Sequence, residues 1–359
     1  SPIEAARASG AMLMEFTPVC TGLKRFLSCA DKGMAARAAA ISMIEYVSFF
    51  VMINRTLIRI KIVQLLYAYY QAGDRFVESA EEELEKSMAK AYELYNYLLQ
   101  LMIDITRMAD EIVNDQEERN RVARIDTQIS HRFIDNRFIA QLSSNKQLMN
   151  YIEHNKITWA GDRDLLRKLY AEITESEYYA EYMMRDTADY ADDRELWRKA
   201  YKNVIMKAAY IDETLEDKSI YWNDDRETVD TFVLKTIKRF EEANGEDQPL
   251  LPAFKDDEDR KFASTLIRRA VENCGYYQSL ISQSTRNWEF NRLAYMDVII
   301  MQIALAEMFT FPEIPVSVTI NEYVELAKCY STPKSHIYIN GILDNIAKRL
   351  ISERKILKN

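Results

Sequence analysis

The chain has 359 residues, 48% of them apolar and 29% charged, with a formal net charge of −9. That length supports one large domain or two to three ordinary ones, each with a real core, and the composition excludes a disordered chain. With 8 Gly, 7 Pro and no proline between Pro18 and Pro249, turn-rich β structure is disfavoured, stacked helices are predicted, and the acidic total argues against indiscriminate polyanion binding.

Residues 1–51 read differently from the rest. "GMAARAAAISMIEYVSFFVM" is apolar but carries Arg37 and Glu45, too little for a bilayer span and without the order of a signal peptide. An extension is expected here, poorly ordered or outside the natural protein, with the domain pattern beginning at Met52. In "NRTLIRIKIVQLLYAYYQ", Ile58, Ile62, Leu65, Leu66 and Tyr69 share one helical face, Arg55 and Arg59 flank it, and Gly73 is a plausible stop.

The long stretch to residue 256 reads as a helical insertion, largely acidic. "ESAEEELEKSMAKAYELYNYLLQLMIDITRMADEIV" predicts a long amphipathic helix and "DQEERNRVARID" a solvated break after it. "DRDLLRKLYAEI" and "DRELWRKAYKNVI" open alike. At an offset of 66, Asp193, Arg194, Tyr210, Trp222, Arg226 and Ile237 match Asp259, Arg260, Tyr276, Trp288, Arg292 and Ile303, so a degenerate repeat and chance similarity both stay open. "EEANGEDQPLLPAFKDDED", residues 241–259, is the clearest linker.

From Asp259 on, the helices are compact. "NRLAYMDVIIMQIALAEMFTF" is a strongly apolar central helix, and Thr319 with Glu322 offers a capping box to the next one. The last places Ile339, Ile342, Leu343, Ile346 and Leu350 on one face, with Gly341 marking close helix packing. Cations gather at this end: Lys334, Lys348, Arg349, Arg354, Lys355 and Lys358 against Asp344 and Glu353. No glycine-rich phosphate loop, nucleophile elbow or dinucleotide fingerprint occurs, so no enzyme and no cofactor are expected. Cys20, Cys29, Cys274 and Cys329 lack CxxC spacing and the three histidines lie far apart, which disfavours zinc and favours a reduced, cytoplasmic protein.

"IPVSVTINEYVELAKCYSTPKSHIYINGILD" resembles the C-terminal signature of the NusB family of bacterial transcription antitermination factors. Ile314, Pro315, Val318, Ile320, Asn321, Glu322, Glu325, Leu326, Ala327 and Lys328 fit its first half. Ser335, Tyr338, Asn340, Gly341, Leu343 and Asp344 fit its second. "MQIALAEM" is similar to the preceding family helix, with Ala306 where Tyr is common. Arg55, Arg59, Val63, Gln64, Leu66 and Tyr67 resemble the arginine-rich first helix. The likeness covers 55–73 and 257–352; the insertion between them departs from the ordinary family and resembles the enlarged Bacteroidetes type.

The resemblance implies an all-α fold of two small helical bundles, no catalysis, and binding of boxA-like RNA together with NusE, a small-subunit ribosomal protein, within the RNA polymerase antitermination complex. It implies RNA contact by Arg55, Arg59, Lys61, Lys334, Tyr338 and Asn340, and NusE contact by Tyr67 and Asp297. The two cationic segments are then expected to meet in one cradle. The rival reading is a helical protein-interaction scaffold, with RNA a weak ligand. No membrane partner is expected.

Overall fold

Asn54 opens the first helix by accepting a hydrogen bond from the backbone N–H of Leu57 at 2.9 Å, an N-cap that satisfies one of the end donors. Helix α1 (Arg55–Ala72) follows, then α2 (Val77–Ala123), α3 (Arg137–Ser143), α4 (Lys146–Asn155), α5 (Arg163–Thr174), α6 (Glu177–Met183) and α7 (Tyr190–Asn203). The order continues with α8 (Ala209–Lys218), α9 (Arg226–Arg239), α10 (Asp257–Glu272), α11 (Cys274–Ser284), α12 (Tyr295–Thr310), α13 (Val316–Tyr330) and α14 (Ser335–Ser352). The computed structural model describes residues 52–72, 77–126, 129–222, 224–254, 257–285 and 293–356. The readings made for 1–51, Gly73, Trp288, Arg292 and Lys358 fall outside the described residues. All regular structure within them is helical, as the composition predicts, and none of these helices is long and apolar enough to cross a membrane.

The chain forms two compact units. Among the described residues one holds 52–88 and 254–356 and the other 89–253, with the division inside α2. In the first unit α12 is the axis. Its sequence is apolar on all sides, which suits only a helix surrounded by others, and Ile299 to Met308 is buried without interruption. Helices α1, α10, α11, α13 and α14 pack against it. Around that axis α1 neighbours α10, α10 neighbours α11, α11 neighbours α14, and α14 neighbours α13. Gln302, fully buried in α12, donates to Tyr70 Oη at 2.6 Å and to the Ala270 carbonyl at 2.8 Å, tying α1 and α10 to the axis. Arg268 of α10 grips Glu81 of α2 through two bonds of 2.7 and 2.6 Å.

The second unit is built on aromatics. Trp159 is fully buried, stacks on Tyr97 at 4.2 Å and donates its indole N–H to the Tyr97 carbonyl at 2.9 Å. The expected break at "DQEERNRVARID" is absent: α2 continues to Ala123, and Arg124 closes it in the left-handed conformation at φ 54°. The expected linker is also partly wrong. Residues Glu242–Asp247 form a 3-10 turn with Gly245 at φ 50°. Gln141 donates to the carbonyls of Glu241 and Gly245 at 3.0 and 2.9 Å, and buried Asn145 donates to that of Gln248 at 2.7 Å. Polar letters that read as a solvated linker are spent on internal hydrogen bonds.

The offset of 66 keeps step with the helices. Added to α7, α8 and α9 it gives 256–269, 275–284 and 292–305, against the observed α10 at 257–272, α11 at 274–284 and α12 at 295–310. One ion pair recurs as well. Arg137, the first residue of α3, places Nε 3.1 Å from Asp193, and Arg55, the first residue of α1, places Nε 3.3 Å from Asp259.

Asp230 makes the second unit pH-sensitive. Burial pushes its carboxyl up to about 6, against the opposing pull of Arg226, with Nε at 3.6 Å, and of the Tyr201 hydroxyl, which donates at 2.6 Å. A carboxyl with a folded value above its unfolded value, about 3.9, binds its proton more tightly when folded. Its stabilisation is full below the unfolded value and is lost as pH rises through the folded one. The stability of the native chain relative to Asp230→Asn is therefore expected to fall between about pH 4 and 6 and level off above. Urea titrations at a series of pH values check this, and parallel profiles for the two proteins would contradict it.

Candidate nucleic-acid interface

At the start of α1, Arg55 remains partly open, with its side chain 36% exposed, its Nε on Asp259 and its guanidinium 4.9 Å from the Phe262 ring centre. Arg59, one turn on, is 4% exposed. Its Nε and Nη2 donate to the two oxygens of Glu307 at 2.8 and 2.9 Å, and its Nη1 to Glu322 at 3.0 Å. Burial opposes this charge, but the Glu307 carboxylate outweighs burial and holds the guanidinium above its ordinary value. Glu307, fully buried, also accepts from Thr319 Oγ1 at 2.9 Å and Tyr323 Oη at 3.0 Å. The expected RNA contact at Arg59 is therefore replaced by a structural role: its donors close the joint between α1, α12 and α13. Lys61, 3% exposed, is likewise no open phosphate contact.

The same joint overturns the capping box. Thr319 lies inside α13, bonded to Glu307, while Glu322 receives Arg59 and the Thr56 hydroxyl at 3.0 Å. Pro315 occupies the N-cap position instead. Glu307, Thr319 and Tyr323 are functional to the fold; the sequence singled out Thr319 only as a cap and the other two not at all, because nothing in the letters states which of them are buried together.

At the other end of α1, Gln64 donates to Tyr330 Oη at 3.4 Å and Tyr67 packs edge-on to Tyr295 at 5.8 Å. Asp297, expected to face a partner, is 3% exposed and accepts a short hydrogen bond from the Ser331 hydroxyl. It anchors the loop between α13 and α14, so its burial leaves no open carboxylate for a partner. Thr332 Oγ1 lies 2.7 Å from Ser335 Oγ, and Ser335 is fully buried. The loop is thus fixed, and it presents Lys334, exposed, at the mouth of α14.

The first two turns of α14 carry Lys334, half-buried Tyr338 and exposed Asn340, with Ile337 61% exposed; Lys334 and Tyr338, four apart, share a side, and Asn340 lies round the helix from Tyr338. Gly341 follows on the open side. The expected close helix packing is absent, since a Cβ built there meets nothing within 4 Å. A mid-helix glycine costs about 1 kcal/mol against Ala, and here no neighbouring helix accounts for it. Gly341→Ala is expected to raise stability by about that amount and to weaken any strand lying across this face. Thermal melts and RNA titration of the one variant check both halves.

The two cationic groups are tied to different points along α13. The Arg55 and Arg59 end is tied to Glu322 whereas the Lys334 end is tied to Ser331. Nine residues of helix separate those ties, roughly 13 Å along the axis.

The NusB family model matches residues 231–348. The transcription antitermination protein NusB of Salinibacter ruber is 31% identical over 132 residues, covering 35% of this chain and 82% of that protein. The corresponding protein of Geobacter sulfurreducens is 38% identical over 114 residues, covering 30% and 83%. A solved structure of T. maritima NusB is 29% identical and covers 42% of this chain and 90% of that one, with a TM-score of 0.25.

Proposed function

The chain belongs to the NusB family, and from that premise we propose that it is a non-enzymatic transcription antitermination factor binding boxA-like single-stranded RNA together with NusE. In this reading it works in the cytoplasm as part of the RNA polymerase antitermination complex. The observation that carries the RNA half is the exposed start of α14. Single strands are held by stacking on aromatics, hydrogen bonds to splayed bases and cations on phosphates. Tyr338, Asn340 and Lys334 offer one of each within two turns, beside the open ground of Gly341. Arg55, partly exposed, serves a different stretch of strand from Lys334, while Arg59 acts by holding α1 in place.

For the NusE half, Tyr67 offers a half-buried ring beside Tyr295, and Asp297 fixes the loop next to it. In this reading the NusB-like domain is made of 52–75 and 257–359, with 76–256 inserted as further protein-contact surface. Capture from cell extract on the immobilised chain, followed by identification of bound protein and RNA, tests this. Recovery of the ribosomal protein with rRNA leader sequence is expected; recovery of neither would defeat it.

A further inference from the structure

The far end of α14 carries a second set of groups suited to a single strand. Tyr276 of α11 is 44% exposed, with its ring 5.9 Å from Tyr277 and 5.7 Å from Phe309, so an open ring is backed by two others. Helix α11, which carries Tyr276, packs against α14, which carries Arg349 in its last turn and leads directly into Arg354 and Lys355. Arg349 is half-buried, forms no ion pair among the described residues, and leaves Nη2 without a hydrogen-bond partner.

These cations are held in place. The N–H of Lys355 donates to the Leu350 carbonyl at 2.9 Å and that of Arg354 to the Ile351 carbonyl at 3.0 Å, the paired bonds of a Schellman cap. Arg354 takes the left-handed position at φ 55°, and Ile356, 5% exposed, pins the turn. Arg124 and Lys156 close α2 and α4 in the same conformation, so the cap is a device of the fold. What distinguishes Arg354 is its setting: Lys355 follows it, with Glu353 paired to Lys355 at 2.7 Å, and the helix it closes carries Arg349 in its last turn and packs against α11.

We propose that Tyr276, Arg349, Arg354 and Lys355 form a second single-stranded RNA contact, in which Tyr276 stacks on a base and the cations meet phosphates flanking the segment held at the start of α14. The proposal rests on the RNA-binding reading above and extends it. A strand leaving Lys334 and Tyr338 along the exposed side of α14 travels the helix length, roughly 27 Å, before it reaches this patch. The footprint is therefore longer than the first site alone requires, and the added part is indifferent to sequence, because every base has a face to stack.

The test uses the full chain with two labelled RNAs: a boxA-like core of about eight nucleotides, and the same core with uridine flanks bringing it to about twenty. Tyr276→Ala is expected to weaken the longer strand about tenfold and leave the core unchanged, while Tyr276→Phe keeps wild-type affinity. Arg354→Gly relieves the left-handed strain, so the melting temperature rises while affinity for the longer strand falls and its salt slope drops by about 0.7. A purely structural residue would not lose RNA as it gained stability. Tyr276→Ala and Arg354→Gly both binding the longer strand like wild type would overturn the patch. Equal binding of a polyglutamate peptide would overturn it in favour of a protein partner. A core that binds while the flanks add nothing sinks this patch alone; failure of both strands sinks the underlying RNA reading with it.

Discussion

Arg59→Met is expected to destabilise the first unit by about 3–5 kcal/mol, the cost of breaking the buried Arg59–Glu307 ion pair by removing one side of it. Glu307 is fully buried and accepts two hydrogen bonds from Arg59, besides those from the Thr319 and Tyr323 hydroxyls. The Thr319 and Tyr323 hydroxyls do not replace a bidentate guanidinium. Glu322 suffers less, since its side chain is 33% exposed and keeps the Thr56 hydroxyl. Adding Glu307→Leu to Arg59→Met should recover much of the loss, because a buried ion pair is weakly stabilising as a pair and costly as a half. Hydrogen exchange at the α12 amides measures both. A loss below about 1 kcal/mol for Arg59→Met would mean that the joint is not what holds α1 to its neighbours.

The second large effect lies in the other unit. Asn145→Ala is expected to cost about 3 kcal/mol, the sum of a lost cap and buried carbonyls left without a donor. Asn145 is fully buried; its side-chain oxygen accepts from Leu148 N at 3.0 Å to cap α4, while its amide nitrogen donates to Gln248 O at 2.7 Å. One side chain thus starts a helix and clamps the 241–248 turn. Proteolysis should then cut Asn145→Ala near Gly245 and leave the native chain intact. Equal resistance of both would return this stretch to the status of a free linker.

Element type was legible in the sequence because helical periodicity depends on neighbours three and four residues apart, which the letters contain. The all-α class, the apolar axis at α12 and the stripe of α14 follow from that spacing. Misreadings arose where distant partners decide the outcome. Arg59 looks like Arg55 in the sequence, yet Glu307, far along the chain, buries one and leaves the other partly open. The 241–259 stretch has linker composition, and only Gln141 and Asn145 convert its start into packed structure. Gly341 read as a packing glycine because a mid-helix glycine usually is one; its open surroundings are visible only in three dimensions.

For the interface, residue types were legible and their grouping was not. Lys334, Tyr338 and Asn340 all lie at the start of α14, but only Lys334 and Tyr338 are spaced to share a side of it. Their union with Arg55 assumed one cradle, whereas the Arg59 end of α1 is tied to Glu322 and the Lys334 loop to Ser331, nine residues further along the chain. Tyr276 escaped notice because α11 and the end of α14 are distant in sequence and neighbours in space.

Binding of a boxA-like single strand and a scrambled strand of equal length and charge, each titrated against the full chain with NusE present over a range of salt, tests the central claim most directly. Both affinities should fall with salt as phosphate contacts are screened, with the boxA-like strand keeping its advantage throughout. Equal affinity for the two strands at every salt concentration would contradict it.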